Sequence, residues 1–164
     1  MSLVNLVSRV LDEKFCLLHQ VSEKVNQFVQ HVAEELGLSR KFVKSRVKKH
    51  MDGNRIVLSF HASSVEIREN IDDGEKWYKI LTLITLYVKY YHSGYKINYQ
   101  DIKVYARTPI TTTLCRDECD MYIFDDHATL CLTKSLSSES LVYMTYIDTA
   151  RNLEIGITVP LRQV

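Results

Sequence analysis

The chain of 164 residues predicts an α+β fold. An N-terminal three-helix segment with a tight corner precedes a central hydrophobic helix packed on a mainly antiparallel β-sheet. Three observations carry the prediction. Apolar residues recur at helical spacing from Leu3 to Met51, a stretch from Glu75 to His92 is apolar around most of a helical wheel, and the remainder consists of short β-branched and aromatic runs. The connections between those runs are too short for crossover helices, so the strands pair antiparallel.

In the first helix Leu3, Leu6, Val7, Val10 and Leu11 lead to Phe15, Leu17 and Leu18, which predicts a helix over Leu3–His19. Val25, Phe28, Val29, Val32, Ala33 and Leu36 repeat the stripe, with Ser22 as N-cap and Gly37 as the stop. A third helix is expected after Ser39, over Arg40–Met51, with Phe42, Val43, Val47 and Met51 on one side, before Asp52 and Gly53 end it. Arg55–His61 alternates Ile56, Leu58 and Phe60 with Arg55, Val57 and Ser59, a half-buried strand, and Val65–Arg68 is expected to pair back on it. Glu75–His92 is the central helix. Strands are expected at Ile102–Ala106, Met121–Phe124, Thr129–Thr133, Leu141–Ile147 and Leu153–Val159, separated by turn clusters at Asp125–Ala128 and Ser135–Ser140. The helical segment spans residues 1–70 and the helix-plus-sheet segment 71–164, as two parts or as one compact domain.

Composition narrows the function classes. Hydrophobic residues make up 46% and charged residues 25%, with 5 Gly and 2 Pro, an ordinary globular composition. The formal charge of +1 excludes a wholly basic polyanion-binding surface, so any nucleic-acid site must be local. The first ten residues carry no basic n-region followed by an apolar core, and Ile80–Val88 is too short for a membrane span. Four Cys without such a leader read as reduced thiols, and a cytoplasmic or nuclear location with no membrane partner is the expectation.

The run Val32–His50 resembles the helix-turn-helix signature of DNA-binding proteins, within residues 28–50 only. Ala33, Gly37 and Val43 occupy the small, turn and apolar positions of that signature, flanked by Val32, Leu36 and Leu38. The sequence departs from the pattern at Arg46, where an apolar residue is expected and Val47 follows one place later. Charge is concentrated on the same segment. Arg40, Lys41, Lys44, Arg46, Lys48 and Lys49 lie between residues 40 and 50 without an acid. Arg40, Lys44 and Lys48 fall at i, i+4 and i+8 and would form one stripe on a helix. The resemblance implies that Ser39, Arg40, Lys41, Lys44, Ser45 and Lys48 face DNA or RNA, where Lys and Arg meet phosphates and base edges. It also suggests a wing hairpin within Arg55–Arg68. The bland alternative is a solvated helix whose lysines serve solubility.

Two further clusters hold metal-ligating or acid-base side chains. Cys115, Cys119, His127 and Cys131 form a Cys-x3-Cys-x7-His-x3-Cys series that would suit a zinc ion, although buried thiols explain it equally. Asp125, Asp126 and His127 could be acid-base groups, but Asp-Asp-His between two strands is turn chemistry. No Gly-rich phosphate loop or nucleophile elbow occurs, so neither an enzyme nor a cofactor is expected.

Trp77, Tyr78, Tyr87, Tyr90, Tyr91, Tyr95 and Tyr99 crowd the central helix and its exit. Most are expected in the core, and the excess suits a homo-oligomer contact, where Tyr and Trp are enriched. The leading expectation is a small non-enzymatic nucleic-acid-binding regulator that uses a basic helix over residues 39–51. The alternative is an oligomeric scaffolding or interaction protein, such as a viral or pathogen accessory factor, that binds another protein.

Overall fold

The computed structural model describes residues 3–72, 74–111, 119–123, 125–133 and 140–164, with side chains described from residue 20 onward except at Cys119. Among these residues, helices pack on one face of an eight-stranded sheet in which every paired neighbour is antiparallel.

Helix α1 runs unbroken over Leu3–Leu36, where two helices were expected. Nothing between these residues interrupts it, since the stretch lacks Gly and Pro and Ser22 is tolerated inside a helix. Gly37 ends it at φ 66°, a left-handed conformation that a Cβ would oppose. The Leu38 N–H reaches back to the Ala33 carbonyl at 3.0 Å, closing the helix end.

Helix α2 covers only Arg40–Arg46, and strand β1 takes Val47–Asp52. The expected helix over Arg40–Met51 is therefore corrected. Val47, which would extend a helical stripe, sits opposite Phe60, and β1 continues pairing to Asp52 opposite Arg55. Only Val47 in β1 is partly covered, so this edge strand shows no apolar alternation. The Asp52–Gly53 pair belongs to a hairpin turn rather than a helix stop.

Strand β2, Arg55–Ser63, is the expected strand extended by two residues. The expected return strand at Val65–Arg68 is instead helix α3, Ser64–Glu69. A capping box decides this: Ser63 Oγ accepts from the Glu66 N–H at 3.2 Å, and the Glu66 carboxylate accepts from the Ser63 N–H at 3.0 Å. Helix α4, Gly74–Tyr91, is the central helix. Then follow β3, Tyr95–Ile97, a single 3-10 turn, β4, Lys103–Thr108, β5, Cys119–Ile123, β6, Ala128–Thr133, β7, Leu141–Asp148, and β8, Leu153–Gln163. Short β3 lacked a sequence signal and pairs with the end of β8.

The strand order is β1-β2-β4-β8-β7-β6-β5. Because β2 pairs with β4, the sheet runs across residue 70, where the two sequence segments meet. Alternation sends Leu58, Phe60, Val104, Ala106, Ile155, Ile157, Val142 and Met144 to one face, all buried with Val32, Leu36, Val43, Ile67, Trp77 and Ile84. The opposite face carries Ser59, His61, Tyr105, Arg107 and Glu154 in β2, β4 and β8, and Cys131 and Ile147 in β6 and β7. No helix among the described residues is long and apolar enough to cross a membrane.

Candidate nucleic-acid interface

At Gly37 the chain turns from α1 into α2 and forms a corner. Ala33, Leu36, Leu38 and Val43 are buried in it. The segment after α3 braces it from outside: the Asp72 N–H donates to the Gly37 carbonyl at 2.8 Å, and the Ser39 N–H to the Asn70 carbonyl at 3.3 Å. Ser39 caps α2, its Oγ accepting from the Phe42 N–H at 3.1 Å. The Ser45 hydroxyl donates to the Phe42 carbonyl at 2.6 Å. Both serines assigned to the interface thus have local backbone partners.

The cations divide into two groups. Arg40, Lys41 and Lys44 are exposed on the two turns of α2. Lys48 and Lys49 are exposed on β1, and the pleat sends them to opposite faces of the sheet. The helical stripe of Arg40, Lys44 and Lys48 is therefore broken at Val47, because the chain leaves the helix there. Arg46, also exposed, forms an ion pair with Glu66 and lies 5.8 Å from the Phe42 ring centroid. That partner holds the Glu66 carboxyl below its ordinary range, after the larger effect of the Ser63 backbone N–H.

Strand register places Lys48 in a second constellation that sequence reasoning missed. On the open face, Lys48, Ser59, Arg107 and Glu154 form one cross-strand row. His61, Tyr105 and Gly156 form the next, and Ser63, Lys103 and Thr158 the third. The His61 and Tyr105 rings are 6.1 Å apart and inclined by 28°. The Arg107 guanidinium sits 5.1 Å above the Tyr105 centroid. Partial burial, then the positive charges of Arg107 and Lys48, lower the His61 pKa and favour its neutral form. The signal was present in Lys103, Tyr105 and Arg107, which alternate with Val104 and Ala106 in one strand.

Glu154, although on this face, is fully buried under the segment that follows β4. It accepts from the Thr111 N–H at 3.1 Å and the Thr111 hydroxyl at 2.7 Å, and pairs with Arg107 Nε at 3.5 Å. A cavity of about 320 Å³ opens at the sheet edge where β1 stops short of His61, lined by Arg46, His61, Ser63, Lys103, Tyr105 and Thr158 among others.

The remaining sequence candidates lie only in part among the described residues. Cys115 and the acids at 117 and 118 lie outside the described residues, as do the Cys119 side chain and most of the 135–140 turn. Cys131 is buried in β6, whereas His127 is exposed in the β5–β6 turn. That turn is held by Asp125, whose carboxylate accepts from the His127 N–H at 2.7 Å and the Ala128 N–H at 2.9 Å. Among the described residues no group of three His, Cys, Asp or Glu side chains is arranged to hold a metal ion. The aromatic cluster splits as well: Trp77 and Tyr87 are buried, but Tyr78, Tyr90, Tyr91 and Tyr99 are exposed, against the expectation that most line the core.

Fold and site define a mixed α/β protein with one helix-covered and one open, cation-bearing sheet face. Comparison with known protein families, curated sequences and solved structures finds no match to this chain.

Proposed function

We propose that the chain is a small non-enzymatic nucleic-acid-binding regulator whose contact surface starts from α2 and β1. One observation carries the reading. Arg40, Lys41, Lys44, Lys48 and Lys49 are all exposed, and among the described residues none of them forms an ion pair with an acid. In a molecule of net charge +1, such a patch concentrates positive potential where a polyphosphate chain can displace its counterions. The reader is a two-turn helix continued by a strand, not a long recognition helix.

The test is a titration of labelled oligonucleotides at two salt concentrations, using the parent and a Arg40→Glu, Lys44→Glu, Lys48→Glu variant. The parent should bind more weakly at higher salt, and the variant should lose binding. Equal affinity of the two proteins refutes the reading.

A second reading, an oligomeric scaffold, is favoured by the outer side of α4, where Tyr78 is 74%, Leu86 59% and Tyr90 80% exposed. These residues lie at i, i+8 and i+12 and share one stripe. Light scattering on the parent and on a Leu86→Ser, Tyr90→Ser variant separates the two: scaffold function requires a stable oligomer that the variant loses.

A further inference from the structure

We infer that the open face of β2, β4 and β8 binds single-stranded polynucleotide, with a base resting on the His61–Tyr105 pair. The inference rests on the nucleic-acid reading above and names its substrate class.

Three features of the face point to that ligand. First, the two rings form a joint aromatic surface, and a base stacked there takes the place of the Arg107 guanidinium that lies 5.1 Å over Tyr105. Tyr105 lies over Gly156, whose missing side chain leaves the space the ring occupies, and His61 continues the platform at a small inclination toward the free edge of the sheet. Flat aromatic faces accept any base by stacking, which requires the base to be out of a duplex. Second, the platform row is bracketed by cations. Lys48 and Arg107 stand in the row on one side and Lys103 in the row on the other. The two rows are four residues apart along β4, a separation of about 14 Å. A strand crossing the rings therefore has a positive charge before and after the stacked base. Third, Glu66 is held by Arg46 and Ser63, whereas Glu154 stands in the Arg107 row and offsets that guanidinium, which leaves Lys48 and Lys103 as the cations flanking the rings. Among the described residues neither Lys48 nor Lys103 forms an ion pair with an acid. His61 is biased toward its neutral state, so it offers a stacking surface rather than another point charge.

The face differs from α2 in what it recognises. Cations alone bind single strands and duplexes alike through phosphate. A ring platform adds affinity only for unpaired bases.

The experiment measures fluorescence anisotropy of labelled oligouridine and oligothymidine of about twelve nucleotides, a length suited to one such module, and of a duplex of equal length. The proteins are the parent, Tyr105→Leu, Tyr105→Phe and His61→Ala, each checked for native circular dichroism. The parent should prefer single strands to duplex. Tyr105→Leu should weaken single-strand binding by roughly five- to a hundredfold, the range for loss of one stacked base, with the salt slope and duplex binding unchanged. Tyr105→Phe should restore affinity, and His61→Ala should act in the same direction as Tyr105→Leu. If duplex and single strand bind equally and Tyr105→Leu changes neither, the inference is overturned while the α2–β1 reading stands. If the parent binds no polynucleotide, both fall.

Discussion

The Tyr105 ring rests on Gly156: a methyl group added at Gly156 would come within 1.9 Å of Tyr105 Cζ. The two residues face each other across β4 and β8. A Gly in the middle of a strand weakens it, and an aromatic ring laid across it restores cover to the exposed backbone. Gly156→Ala should force the ring off the sheet and destabilise the protein by about 1–3 kcal/mol through overpacking. A urea midpoint unchanged from the parent would show that the ring can leave at no cost. If the platform binds bases, the same variant should also lose single-strand affinity.

Glu154 anchors that face at the Arg107 row, covered by the segment after β4. With no exposed surface, its carboxylate is the acceptor for both donors of Thr111 and the counter-charge for Arg107. Truncation to Ala leaves these donors without their acceptor, at a cost of about 1–3 kcal/mol. Glu154→Gln keeps an oxygen for Thr111 but removes the charge, so it should fall between Ala and parent. Equal midpoints for Ala and parent would mean that the segment after β4 makes no net contribution.

Ser63 decides the path of the chain after β2. Removing its hydroxyl in Ser63→Ala takes away one half of the capping box and should cost about 1 kcal/mol. The other half is titratable. The Glu66 carboxyl lies below its usual value of 4.5, chiefly through the Ser63 N–H. A depressed carboxyl contributes stability that is full above its unfolded pKa and lost as pH falls through the folded one. Glu66→Gln should therefore differ most from the parent at neutral pH and converge with it well below pH 4.5, as chemical denaturation across that range would reveal. A difference that persists undiminished in acid excludes this linkage.

The parts of the fold legible in sequence are those where one interior face imposes a period. Helix α4 and strands β2, β4 and β7 bury alternate or helically spaced residues, and the Ala33–Gly37–Val43 corner combines a small contact with a left-handed turn. Strand β1 was illegible for the converse reason. At the sheet edge it has one interior contact, Val47, so its lysines mimic the polar side of a helix. For α3 the information was present in the Ser63-x-x-Glu66 pattern, but the apolar residues Val65 and Ile67 suggested a strand. The site divided along the same line. Local sequence identified the cations of α2, whereas the row containing His61, Tyr105 and Gly156 joins three strands far apart in the chain and exists only through register.

His92 ties stability to pH on the helix-covered side. It follows α4, is 8% exposed, and packs edge-on against Tyr87 and Tyr95. Its Nε2 has no hydrogen-bond partner among the described residues. Burial lowers its pKa from 6.5, and His61 is lowered in the same direction. Both imidazoles therefore stay neutral in the folded chain at pH values where the unfolded chain takes up protons. Stability then rises with pH through this window, because the unfolded state binds more protons there. Below about pH 6.5 the protein should lose stability until the folded imidazoles protonate as well. His92→Phe keeps an aromatic ring in the Tyr87–Tyr95 contact and removes one of the two titrating groups. Its stability curve between pH 7.5 and 5 should be flatter than the parent's, with His61→Ala removing a further part of the slope. Parallel curves for the parent and His92→Phe would show that His92 takes up a proton equally in the folded and unfolded states.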